Sequence, residues 1–171
     1  MKIALSGPNE LTEYDKLEIR SYIEAVINEH EISVLAYRSI EKEVFKFFVE
    51  FEEHAHKLSI YTFLEFTQLP SDIQRTIEYL QSKGATYKTF YHNDLIVKRE
   101  PYINAWRYIL DESDAIVSFF NIKSHHDQRQ KLMIPIDIAT KSKKRPFIYT
   151  LPVHDSSILE QTPTDKIRLV E

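Results

Sequence analysis

The chain has 171 residues, a net charge of −4 and a pI near 6.0, which is one domain's worth of chain at roughly 100–200 residues per domain. It has no cysteine, which excludes a disulfide framework, a thiolate nucleophile, an iron–sulfur cluster and a cysteine-based zinc site. The acidic balance argues against a general attraction to nucleic acid or to an anionic membrane.

Ile3-Ala4-Leu5 is a short apolar run that ends in Ser6-Gly7-Pro8-Asn9, so a buried strand is predicted with a turn behind it. Thr12 stands three residues before Asp15, a capping-box spacing, and Ile19, Ile23, Val26 and Ile27 recur at helical intervals. A helix is predicted over roughly residues 12–28. Ile32 to Tyr37 reads as the second strand, with Ser39 as the cap of a helix carrying Val44, Phe48, Phe51 and Ala55 on one face. Leu58 to Phe63 reads as a third strand. Ser71 is expected to cap a third helix bearing Ile73, Ile77 and Leu80, which Lys83 and Gly84 end.

Thr86 to Tyr91 alternates aromatic and polar residues, as near a sheet edge. A polar loop over 92–101 precedes a helix over 102–112. Ala115 to Phe120 is the clearest strand of the chain. A second polar loop, 121–130, leads to a helix over 132–143, with Pro135 in its first turn. Pro146 to Thr150 is a last strand. The basic run Lys141, Lys143, Lys144 and Arg145 suits a helix C-terminus.

Strands alternating with helices, apolar on both faces, predict a single-domain, three-layer α/β Rossmann-like fold with a mostly parallel sheet of five or six strands. Residues 1–150 make the domain, and 151–171 an extension: a hairpin, a strand given to a partner, or a loose end. No apolar run approaches the ~18–20 residues of a membrane span. The N-terminus turns polar too early for a signal peptide, so a cytoplasmic protein without a membrane partner is expected.

Ligands of open α/β sheets bind beyond the carboxyl ends of the strands, at the topological switch point. The candidates are therefore the loops. Ser6, Gly7, Pro8 and Asn9 offer an anion the start of the first helix. Arg38 offers a phosphate or carboxylate contact, Ser39 a hydroxyl, and Glu41 a ribose contact or a base role. His92, in the cluster Tyr91 to Asp94, and Asn121, Ser124, His125 and Arg129 supply further polar groups. The chain has only two glycines, so neither G-x-G-x-x-G nor G-x-x-x-x-G-K-[ST] can be written. No cofactor and no metal is expected: adjacent His125 and His126 point apart on a helix or a strand. Phe45, Phe47, Phe48 and Phe51 crowd one helix, and an aromatic face there suggests a homo-oligomer. Trp106 is expected to pack on the sheet.

Three segments together resemble the SLOG-type Rossmannoid superfamily, which includes LOG-like phosphoribohydrolases and nucleotide-sensing domains. They are residues 1–8, with their strand and Ser-Gly turn; residues 33–44; and residues 99–120, with a helix, Ser113-Asp114 and a buried strand. The resemblance covers residues 1 to about 150. It implies binding of a nucleotide or nucleotide-derived small molecule at the C-terminal edge of the sheet. Glu41 stands where the family often carries Asp. The family's glycine-rich phosphate segment has no counterpart: residues 122–131 are polar and bulky, and LOG-like catalysis is not carried over. Two alternatives accompany that reading. One is cleavage or transfer of an N-glycosidic bond, as in nucleoside 2-deoxyribosyltransferase-like proteins, with a carboxylate such as Glu41, Asp94, Glu100 or Asp127 as nucleophile. The other is a protein-interaction module on a degenerate scaffold.

Overall fold

The computed structural model describes residues 1–121, 126–151 and 167–169, with the backbone alone at 126–129 and 167–169. In chain order the elements are β1 (Lys2–Ser6), α1 (Glu13–Val26), β2 (Glu31–Leu35), α2 (Glu41–Glu50), a 3₁₀ helix (Glu52–Lys57) and β3 (Leu58–Thr62). A second short 3₁₀ turn (Phe66–Gln68) leads to α3 (Ser71–Ser82) and β4 (Thr86–Thr89). Then come α4 (Arg99–Asp111), β5 (Ala115–Asn121), α5 (His126–Lys141), β6 (Arg145–Leu151) and β7 (Ile167–Leu169).

The strands form one sheet in the order β4-β3-β2-β1-β5-β6-β7. The first six are parallel, and β7 pairs antiparallel to β6, Phe147 opposite Leu169. This is a three-layer α/β Rossmann-like architecture. Its six parallel strands match the expected count, and β7 adds a seventh, antiparallel strand. No described helix is long and apolar enough to cross a membrane.

The central strands β1, β2, β3 and β5 are largely apolar on both sides because both sides are covered. Ile3, Leu5, Ile32, Val34, Ile60 and Phe119 join a core with α1, α2 and α3. Ala4, Leu35, Tyr61 and Ile116 join a second core with α4 and α5, where Trp106 is buried. The chain steps outward from β1 through β2 and β3 to β4, and α4 carries it back to β5 beside β1. The switch point therefore lies between β1 and β5.

Four local expectations are corrected. Ser39 does not cap α2: the helix begins at Glu41 with Ile40 before it and no side-chain cap. Ser71 is the first residue of α3, behind Pro70, and makes no cap bond either. The fifth helix starts at His126, not near Leu132, and Pro135 lies inside it. Lacking an N–H, Pro135 leaves the carbonyl of Lys131 without its usual helical donor. The aromatic face proposed for a homo-oligomer is inside: Phe45, Phe47 and Phe48 are buried and Phe51 is half-buried, because α2 is packed between α1 and α3 as well as on the sheet.

The start of α1 holds as expected. The Thr12 hydroxyl accepts from the Asp15 amide at 3.1 Å, and the Asp15 carboxylate accepts from the Thr12 amide at 3.0 Å. Two amides without helical partners are thus satisfied, with a negative charge at the positive end of the helix dipole. Thr12→Ala is expected to lower stability by ~1 kcal/mol while Thr12→Ser stays near wild type, as measured by chemical denaturation.

Candidate functional site

The turn after β1 and the turn after β2 are joined directly. The Gly7 amide donates to the Ser39 hydroxyl at 3.1 Å, and that hydroxyl donates to the Gly7 carbonyl at 2.9 Å. A Cβ on Gly7 would stand 2.6 Å from Ile40 Cγ2 and 3.3 Å from Phe119 Cβ. Gly7 is needed for close approach, and its N–H is already engaged. Ser6 is buried with its hydroxyl bonded to that of Ser118 on β5. Pro8 is buried behind it, and Asn9 stands exposed at the mouth.

Glu41 faces its own turn. Its carboxylate accepts from the Ser39 amide at 2.8 Å. Burial pushes its pKa up, against the opposing pull of nearby backbone amides. It serves as the anchor of the Arg38–Ser39 turn.

That turn holds Arg38 in the left-handed region, at φ 47°. This conformation is uncommon away from glycine and persists where the surroundings enforce it. Arg38 is exposed, its guanidinium 5.6 Å from the centre of the Tyr37 ring. Lys131, from the second turn of α5, comes to the same ring: its Nζ lies 4.4 Å from the Tyr37 centroid and 5.1 Å from that of Tyr102. Burial pushes the Tyr102 hydroxyl up to about 12, so Lys131 meets a neutral ring face and not a phenolate. Burial, with Arg38 beside it, holds the Lys131 amine below the usual lysine range. Among the described residues neither cation has a carboxylate within ion-pair distance.

Ser6, Gly7, Pro8, Asn9, Arg38, Ser39, Tyr102, Lys131 and Leu132 line one hollow at the switch point, about 30 Å³ in volume. Six of the residues singled out in the sequence meet there. Asn121 and His92 do not line it. Asn121 donates to the Asp15 carboxylate at 3.2 Å, tying the end of β5 to the cap of α1. Asp15 itself is fully buried, so the helix start proposed for an external anion carries a carboxylate of the chain. The half-buried His92 packs its ring edge-on to Phe63, the centroids 6.2 Å apart. Ser124, His125 and the side chain of Arg129 lie outside the described residues. Among the described residues no group of three metal-ligating side chains gathers.

Sequence reasoning missed Tyr37, Tyr102 and Lys131. Tyr37-Arg38 at the carboxyl end of a predicted strand was an available signal. Lys131 is hidden by the late start expected for its helix, and Tyr102 by its place at the start of the helix expected over 102–112.

No family model matches the chain, and no curated protein matches it. Among solved structures it is similar to DNA processing protein A from Helicobacter pylori, whose structure is described for its single-stranded DNA binding mode. The TM-score is 0.65 at 17% identity, covering 96% of this chain and 70% of that one. The likeness establishes the fold. It also corrects the expectation of no general nucleic-acid binding, since a chain of this fold is described as binding single-stranded DNA. The exclusion rested on net charge, a sum over the whole chain that does not report where the cations gather. The functional expectation built beside it is withdrawn too, both as a nucleotide-like small-molecule site and in its N-glycosidic and protein-interaction alternatives. The hollow agrees: about 30 Å³ is far below the ~300–1,000 Å³ of small-ligand pockets.

The raised pKa of Glu41 gives a pH signature. A carboxyl whose folded pKa is raised stabilises most below its ordinary 4.5, and that stability is lost as pH rises through the folded value. Glu41→Gln should therefore compare better with wild type at pH 7 than at pH 4 in parallel urea denaturations. Equal differences at the two pH values would contradict the burial assigned to this carboxyl.

Proposed function

We propose that the switch-point rim holds the phosphodiester backbone of a single-stranded nucleic acid, with Arg38 and Lys131 as its anion contacts. The observation that carries this reading is the convergence of the two cations on tyrosine faces with no carboxylate within ion-pair distance among the described residues. A guanidinium matches phosphate oxygens bidentately, and a half-buried ammonium strengthens a charge-assisted bond. The hollow accommodates part of a phosphate and leaves sugar and base outside, as suits a strand tracking over a surface. Exposed Asn9 at the mouth offers a further polar contact. The SLOG-type resemblance of residues 1–8, 33–44 and 99–120 supports the same rim as the ligand face. Residues 1–150 then act as the binding unit, with 151–171 as an extension.

The test is the anisotropy of a labelled oligo(dT) titrated at increasing salt. Wild-type affinity should fall log-linearly with salt, and each lost cation should flatten the slope by ~0.7. Arg38→Asn suits the left-handed backbone, and Lys131→Met keeps an apolar stem on the tyrosines. No binding at the lowest salt, or an unchanged slope in the double variant, rejects the reading.

A further inference from the structure

The segment after β4 leaves an apolar surface in water. Tyr91, Leu95 and Ile96 are 67%, 76% and 69% exposed within six residues. Single exposed apolar side chains are ordinary, but a cluster in one short loop marks a contact surface. Tyr91 is moreover held in the left-handed region, at φ 54°. Asparagine or glycine suits that conformation, and a bulky aromatic residue there is an outlier.

The loop is tied down on both sides of this tyrosine. The Phe90 amide donates to the Thr62 carbonyl at 2.9 Å, the Tyr91 amide to the Thr89 hydroxyl at 3.0 Å, and the His92 amide to the Phe63 carbonyl at 2.7 Å. The Val97 amide then donates to the Tyr37 hydroxyl at 3.1 Å. Tyr37 is the ring that carries Arg38 and Lys131 on its face. One side chain therefore joins the cationic hollow to the foot of the apolar loop, a ring's length away.

We infer that the 91–96 loop is the base-contacting platform of the site, with the Tyr91 ring stacking on a base of the strand whose backbone lies at Arg38 and Lys131. This rests on the single-strand reading above. Aromatic faces take any base, because every base has a π-face, so the platform adds affinity with little sequence preference. The cations read only the backbone. The two halves of the site are thus separable by the chemistry of the probe.

The experiment compares oligo(dT) with an abasic oligonucleotide of equal length, on wild type and on Tyr91→Asn. Asparagine removes the ring and tolerates the backbone, so the variant is expected to fold with unchanged or slightly raised thermal stability. Wild type should prefer oligo(dT) about tenfold, ~1.4 kcal/mol. Tyr91→Asn should erase that preference and leave abasic binding and its salt slope untouched. Leu95→Ser with Ile96→Ser should reduce the preference without affecting the slope. If wild type binds both probes equally, or Tyr91→Asn keeps the preference, the platform is refuted while the backbone contact stands. If wild type binds neither probe, both fall. A dimer that Tyr91→Asn dissolves would assign the loop to a second copy of the chain and overturn the inference.

Discussion

The close approach of the turns after β1 and β2 is the constraint on which the candidate site depends. Gly7 offers no Cβ, so Ile40 and Phe119 can press against its backbone, and Ser39 closes the contact with two hydrogen bonds. Any side chain at Gly7 would push the second turn away. That turn is where Tyr37 and Arg38 sit, held left-handed by Ser39 and the inward-facing Glu41. The glycine thus acts through the geometry of its neighbour, and its own amide is unavailable to a ligand. This differs from a glycine-rich phosphate loop, in which backbone amides meet the anion. In the proposed site that task falls to the side chains of Arg38 and Lys131.

The electrostatics follow the same division. Elsewhere three cations pair with carboxylates among the described residues: Arg20 grips Glu50 through two nitrogens at 2.7 Å, Lys16 meets Glu13 at 2.9 Å and Lys83 meets Glu52 at 3.2 Å. Such exposed pairs contribute ~0–1 kcal/mol each and cancel one another in the far field. Arg38 and Lys131 stand beside each other instead, on tyrosine rings. Their mutual repulsion and the partial burial of Lys131 are unfavourable in isolation, and an anion between them would relieve both. A chain of net charge −4 can therefore carry a local cationic point at the rim of its sheet. Overall charge governs solubility and long-range steering, whereas this site is decided over a few ångströms.

The rim is also polarised along its length. Its floor is apolar and aromatic, with Tyr37, Phe63 and Tyr102 packed at centroid separations of 5.1–6.3 Å. Toward the sheet edge the same aromatic wall continues from Phe63 to Phe90 and His92, the chain neighbours of the exposed Tyr91. Toward β5, the carboxylate of Asp15 closes the end of the rim by capping α1 and taking the Asn121 amide.

The layered α/β fold, the parallel strands and most helix faces were legible in the residue pattern alone. Apolar runs such as Ile3-Ala4-Leu5 and Ala115 to Phe120 can only be buried on both sides, and the 3.6-residue recurrence of Ile19, Ile23 and Ile27 fits one covered face. The pattern also located the loops at the carboxyl ends of the strands, because sheet topology places ligands there whatever the side chains. Helix starts were less legible. Ser39 and Ser71 have the right chemistry for caps, but Ser39 is held by Gly7, and Pro70 itself ends the approach to α3. Which polar residues meet is settled by the packing of distant elements. Lys131 and Arg38 are 93 positions apart in the chain and share a tyrosine ring because α5 crosses the end of β2's turn. Side-chain convergence is set by packing across the switch point, and no local pattern of residues encodes it.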